Sequence, residues 1–102
     1  MAYFFCRLIP PRPDFAQTMS DAERAAMQAH VAYWTGQTAP LIFGPVGDPK
    51  GPWGLGIFEA ENEAALQELL TKDPAITAGI GARYESLPML RAVVRDSLKT
   101  PA

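Results

Sequence analysis

Apolar positions in this chain change period several times, and each change predicts an element. Ala2 to Ile9 is rich in aromatic and branched residues and stops at Pro10-Pro11, which predicts a strand with a fixed end. Its alternation puts Tyr3, Phe5 and Ile9 on one face and Phe4, Cys6 and Leu8 on the other, so both faces are apolar. Pro10 to Thr18 reads as a proline-stiffened loop. After Ser20 the period lengthens: Ala22, Ala26, Ala29 and Tyr33 recur at helical spacing, predicting a helix from about Asp21 to about Gln37. Ser20 and Glu23 have the spacing of a capping box, and Gly36 marks the other end. Leu41 to Val46 is a second strand, Asp48-Pro49-Lys50-Gly51 a turn and Trp53 to Ala60 a third strand. Asn62 caps a second helix striped by Ala65, Leu66, Leu69 and Leu70, and Asp73-Pro74 ends it and opens a further helical turn. Ala82 to Leu87 is a fourth strand. Arg91 to Arg95 fits strand and helix equally well.

The order β-α-β-β-α-β is that of the ferredoxin-like split unit, an α+β fold with two helices on one face of an antiparallel sheet. A chain of 102 residues has room for one such domain, with its core over about residues 3–87 and a tail over 91–102. Two helices cover one sheet face. The other face of the first strand is also apolar, and a second copy of the chain is the expected cover, giving a homodimer joined through its sheets.

Composition narrows the partners. Net charge is −2 and the lysines are scattered, without the basic footprint of a nucleic-acid binder. Cys6 is the only cysteine, so no disulfide closes within the chain. No apolar run approaches the length of a membrane span, and Met1 to Ile9 is too short and too polar at Arg7 for a signal peptide. A cytoplasmic protein that avoids membranes is expected.

His30 is the only histidine, flanked at helical spacing by Met27 and Trp34. An imidazole on a packing face is either a satisfied core group or a reagent, and its side chain titrates nearest neutrality. Asp73 precedes Pro74 and suits the N-cap of a short helix. The same carboxylate follows the second helix, which lies beside the first in this fold, so it is within reach of His30. Bonded to one ring nitrogen, it would leave the other nitrogen as a base. Gly54 and Gly56 leave one face of the third strand bare, either to admit a large neighbour such as Trp53 or Tyr84 or to floor a pocket. Arg7 shares a face with Phe5 and Ile9. Either the strand end there is already near solvent, or Arg7 pairs with Glu59 or Glu85 on a neighbouring strand, or it anchors a substrate carboxylate.

Other chemistries find little support. One His and one Cys make a protein-built tetrahedral zinc site improbable, and the glycines enter a strand rather than open a helix, unlike a dinucleotide fingerprint. Cys6 in a central strand reads as a small core hydrophobe. Haem ligation by His30 lacks a visible second ligand. No metal or cofactor is expected.

Three stretches carry a resemblance: His30-Val31-Ala32-Tyr33-Trp34, Phe43-Gly44-Pro45, and Asp73 through Gly79. In this order and at these separations the chain resembles the YCII-related (YciI-like) family of the dimeric α/β-barrel superfamily, from about Tyr3 to about Leu87. The resemblance implies a ferredoxin-like protomer paired sheet to sheet. It also implies an active-site pair, carried here by His30 and Asp73, in a pocket between helices and sheet. Related barrels carry out isomerisations, eliminations and cofactor-free oxidations of small, often aromatic, metabolites. The expected ligand-binding set is Tyr33, Trp34, Gly44, Pro45, Gly54 and Gly56, with Arg7. Family members often show an Asp-Gly turn after the Gly-Pro, where this chain has Asp48-Pro49-Lys50-Gly51, so the resemblance assigns that loop no role.

Two functions fit. One is a cofactor-free enzyme in which His30 moves a proton on a small aromatic or carboxylated metabolite, oriented by Asp73. The other is a domain that binds a small molecule or a partner, with the pair as a structural hydrogen bond.

Overall fold

The alternation of the first strand, β1 (Ala2–Ile9), sorts its side chains as expected: Phe4, Cys6 and Leu8 are buried and Tyr3, Phe5 and Arg7 half-buried. The computed structural model describes residues 1–96. After β1 come α1 (Phe15–Thr18), α2 (Asp21–Thr35), β2 (Pro40–Val46), β3 (Trp53–Ala60), α3 (Glu63–Thr71), α4 (Pro74–Thr77) and β4 (Arg83–Pro88). The strands form one sheet in the order β2-β3-β1-β4, every neighbouring pair antiparallel. This is the ferredoxin-like α+β topology.

The capping box at α2 is present: the Glu23 N–H donates to the Ser20 hydroxyl at 3.1 Å, and the Ser20 N–H donates to the Glu23 carboxylate at 2.8 Å. The inward stripe of α2 runs through buried Ala26 and Trp34 with half-buried His30 between them, while Ala22 and Ala29 are exposed. The indole decides this. Trp34 is fully buried and stacks on Phe58 at 4.4 Å between ring centroids, and an aromatic ring gains far more from burial than a methyl. Trp34 and Phe58 join Phe4, Cys6, Ala60, Leu66 and Leu70 in one core between the helices and the sheet.

Two further expectations change. The proline-stiffened loop contains α1, whose end is tied down by Arg12: its guanidinium donates to the Thr18 carbonyl at 2.7 Å and to both Glu23 oxygens at 2.8 Å. Arg91 to Arg95 takes neither helix nor strand. The rest of the expected tail, residues 97–102, lies outside the described residues. Away from the helices, the sheet shows a half-apolar face to which Phe5, Ile57, Ile42 and Leu87 contribute, the last two 59% and 64% exposed.

Candidate active site

The short α4 sits where the chain leaves α3, and its N-cap organises the site. Asp73 has extended backbone, Pro74 occupies the first helical turn, and the Asp73 carboxylate accepts the Ala75 N–H at 2.9 Å. The local reading of Asp73 as a cap is therefore correct. The same carboxylate is fully buried against α2 and β4 and accepts three more donors. His30 Nδ1 lies 2.8 Å from Oδ2 and 3.0 Å from Oδ1; Trp34 Nε1 donates to Oδ2 at 2.9 Å; the Tyr84 hydroxyl donates to Oδ2 at 2.5 Å.

Electrostatics fix the proton positions. Burial works to raise the Asp73 pKa, but the hydrogen bonds from His30, Tyr84, Ala75 and Trp34 overcome it and hold the carboxyl below its ordinary value. Burial, then the adjacent Asp73 acceptor and its charge, push the Tyr84 hydroxyl upward, so it stays protonated and donates. An ionised carboxylate can only accept. His30 Nδ1 must therefore carry a hydrogen, and in the neutral ring the lone pair is on Nε2.

Nε2 has no hydrogen-bond partner among the described residues, and the imidazole lines a cavity of about 570 Å³ between α2, the sheet and the loop carrying α1. Phe43 meets the imidazole edge-on, 6.4 Å between centroids at 87°. Phe15, Met27, Phe58 and Tyr84 add further apolar wall. The two glycines of β3 serve both purposes foreseen for them. A Cβ on Gly56 would fall 2.5 Å from the Phe58 ring and one on Gly54 3.2 Å from Leu8, so the bare face admits close neighbours; both glycines also line the cavity. The large neighbour is Phe58, not Trp53 or Tyr84.

Of the expected ligand-binding set, the structure brings Trp34, Gly44, Pro45, Gly54 and Gly56 to the cavity wall with His30. Tyr33 is not there: its hydroxyl donates to the Leu69 carbonyl at 2.8 Å, joining α2 to α3. Arg7 is on the other sheet face, opposite Leu55 and Glu85, with its guanidinium 4.5 Å above the Trp53 ring. Alternation along β1 sends Arg7 away from the cavity that Leu8 lines, so it cannot anchor a ligand there. Neither expected carboxylate pairs with it, since Glu85 is engaged by Arg83 at 3.1 Å and stacking on Trp53 takes the place of a bridge. Cys6 is buried in the core with its thiol pushed up to about 12, and so lacks the character of a nucleophile. Sequence reasoning missed Tyr84 as a site residue. The available signal was a phenol on an inward position of the last strand, where its hydroxyl needs a partner.

Among the described residues, no group of three or more His, Cys, Asp or Glu side chains could hold a metal ion, and no helix is long and apolar enough to cross a membrane. The fold and the matching segments define a class. The chain belongs to the YCII-related domain family, whose model matches residues 3–90. Its fold is similar to that of 5-chloro-2-hydroxyhydroquinone dehydrochlorinase (TftG) from Burkholderia phenoliruptrix AC1100, solved in complex with 2,5-dihydroxybenzoquinone. The TM-score is 0.62 at 21% identity, over 87% of this chain and 95% of that one. No curated protein matches the chain.

Proposed function

We propose that this protein is an acid/base enzyme of the elimination or isomerisation type acting on a small molecule, with His30 Nε2 as the proton-transferring atom. The observation that carries the reading is the division of the imidazole: Nδ1 is held by a buried, ionised Asp73, while Nε2 has no hydrogen-bond partner among the described residues, on a side chain that lines an apolar cavity. Asp73 orients the ring and stabilises the imidazolium formed when Nε2 takes a proton. In an elimination, Nε2 removes a proton from the substrate, the freed electron pair forms the new double bond, and the leaving group departs with its own pair. In an isomerisation, the same nitrogen returns the proton at another atom. The similar structure is of a dehydrochlorinase with a quinone bound, which favours elimination on an aromatic ring among these reactions.

The test is turnover on halogenated and hydroxylated aromatics, followed by halide release and ultraviolet absorbance. His30→Gln should fold and lose about a hundred- to ten-thousandfold in rate, the usual contribution of a positioned acid/base group. A variant within tenfold of wild type would remove His30 from the chemistry.

The sheet face away from the helices is the proposed homodimer interface, with a second copy as its cover. It exposes Ile42 and Leu87 and holds Arg7 Nε buried with no hydrogen-bond partner among the described residues. An acceptor from the second copy would relieve that donor. Light scattering at micromolar concentration should give twice the chain mass; a monomer would overturn the interface. The single buried thiol of Cys6 suits a reducing compartment, the cytoplasm in this reading.

A further inference from the structure

Among the residues that line the His30 cavity, polar side-chain atoms belong to His30, Trp34, Trp53 and Tyr84. Three of the four are committed. Trp34 Nε1 and the Tyr84 hydroxyl donate to Asp73, and Trp53 Nε1 donates to Asp48 at 3.1 Å. His30 Nε2 remains. No lysine or arginine lines the space, and the nearest fixed charge behind the imidazole is the negative one on Asp73. Arg7, the residue the sequence offered as a carboxylate anchor, is on the opposite sheet face.

A ligand for such a space must satisfy two conditions. It has to arrive without negative charge, since no lysine or arginine lines the cavity to replace the hydration lost by a carboxylate or phosphate, and the imidazole is neutral when it acts as the base. It must also present one donor hydrogen to Nε2, because an unmet acceptor against an apolar ligand costs affinity. At about 570 Å³ the space is of ordinary small-molecule size, roughly 300–1,000 Å³, and its walls include the rings of Phe15, Phe43 and Phe58.

We infer that the site selects neutral hydroxylated aromatic compounds, phenols in the broad sense, and rejects their carboxylated counterparts. This rests on the reading of Nε2 as the free base and deepens it. The ligand O–H donates to Nε2. When the proton transfers, the O–H electron pair stays on oxygen as a phenolate, the proton joins Nε2, and the Nδ1 hydrogen stays on the ring, donated to Asp73. The ring is thereby activated to expel a substituent or to shift a double bond.

The experiment compares two probes of one shape, 2-naphthol and 2-naphthoate, by calorimetric titration of the whole protein at pH 8.5, with the histidine ring nitrogens observed by ¹⁵N NMR. The expected result is that 2-naphthol binds at least tenfold more tightly than 2-naphthoate and moves the Nε2 resonance. Naphthoate binding as tightly as naphthol overturns the selectivity even if His30 proves essential for turnover. Naphthol binding without a shift at Nε2 overturns the recognition through that atom. Absence of binding by both probes overturns the assignment of the ligand class. Loss of the acid/base reading shows differently: His30→Gln would keep its turnover whatever the probes do.

Discussion

Replacing Asp73 by Asn changes one oxygen for a nitrogen at nearly constant volume, so packing drops out and the hydrogen bonds are left. The wild-type carboxylate accepts from His30 Nδ1, Trp34 Nε1, the Tyr84 hydroxyl and the Ala75 N–H. An amide retains one acceptor oxygen and sets an N–H₂ against donors on the other side. In the better of its two orientations the oxygen stands in for Oδ2, so the Ala75 N–H loses its acceptor, worth about 1.5–3 kcal/mol, and the bonds from His30, Trp34 and Tyr84 fall from charged to neutral strength, roughly 1 kcal/mol each. The expected destabilisation is about 3–6 kcal/mol, a large share of the roughly 5–15 kcal/mol available to a domain. Urea unfolding at pH 7, read as the midpoint at unchanged slope, measures it. His30→Gln removes one donor and should cost less, about 1–3 kcal/mol. The pH dependence supplies a second check. Asp73 binds its proton less readily folded than unfolded, so its stabilisation is complete above the ordinary value of 3.8 and is lost as pH falls through the lower folded value. Asp73→Asn should lack that part of the acid limb. A loss below 1 kcal/mol, with the acid limb intact, would refute the view that Asp73 organises this region.

Other consequences can be checked separately. Cys6 is fully buried with its thiol raised to about 12, so a disulfide reagent at pH 8 should label it only after denaturant is added; rapid labelling of native protein would mean that β1 opens. Gly56→Ala should cost about 1–3 kcal/mol, because its Cβ meets the Phe58 ring at 2.5 Å and that ring is held against Trp34. Gly44→Ala, with nothing within 4 Å of the new methyl, should leave the melting temperature nearly unchanged.

What could be read from the sequence was what local chemistry decides. The capping box at Ser20 and Glu23, the cap at Asp73 and the two-sided alternation of β1 need only neighbours a few residues away, and all three are present. Placement on neighbouring segments, together with the family resemblance, put Asp73 within reach of His30, and their atoms are 2.8 Å apart. The failures are contests between distant residues. The spacing of Ala22, Ala26, Ala29 and Tyr33 predicted the helix but not its inward face, which turns toward Trp34 because Phe58, on a strand, offers it a ring to stack on. The four residues of α1 were hidden because Arg12 reaches Thr18 and Glu23 only once the chain has folded back. Tyr84 was overlooked because its partner becomes available only when β4 is laid beside β1.

The two readings of Asp73, helix cap and partner of His30, do not compete. A carboxylate offers about four lone-pair sites. Oδ1 serves the Ala75 N–H and Oδ2 serves Trp34 and Tyr84, while His30 Nδ1 lies within 3.0 Å of both. The cap therefore fixes the carboxylate that fixes the imidazole, and stability alone cannot say whether the pair is structural or catalytic. The other ring nitrogen carries that distinction. A histidine kept for structure gains by having both nitrogens paired or by giving one to water, because an acceptor against apolar walls is a cost. Here Nδ1 is fully engaged while the ring borders a space walled by Phe43, Phe58, Met27 and Leu8. Nε2 is not among the buried side-chain atoms without a partner, so in a structural pair water can meet it; proton transfer needs that same lone pair, and turnover by His30→Gln separates the two roles.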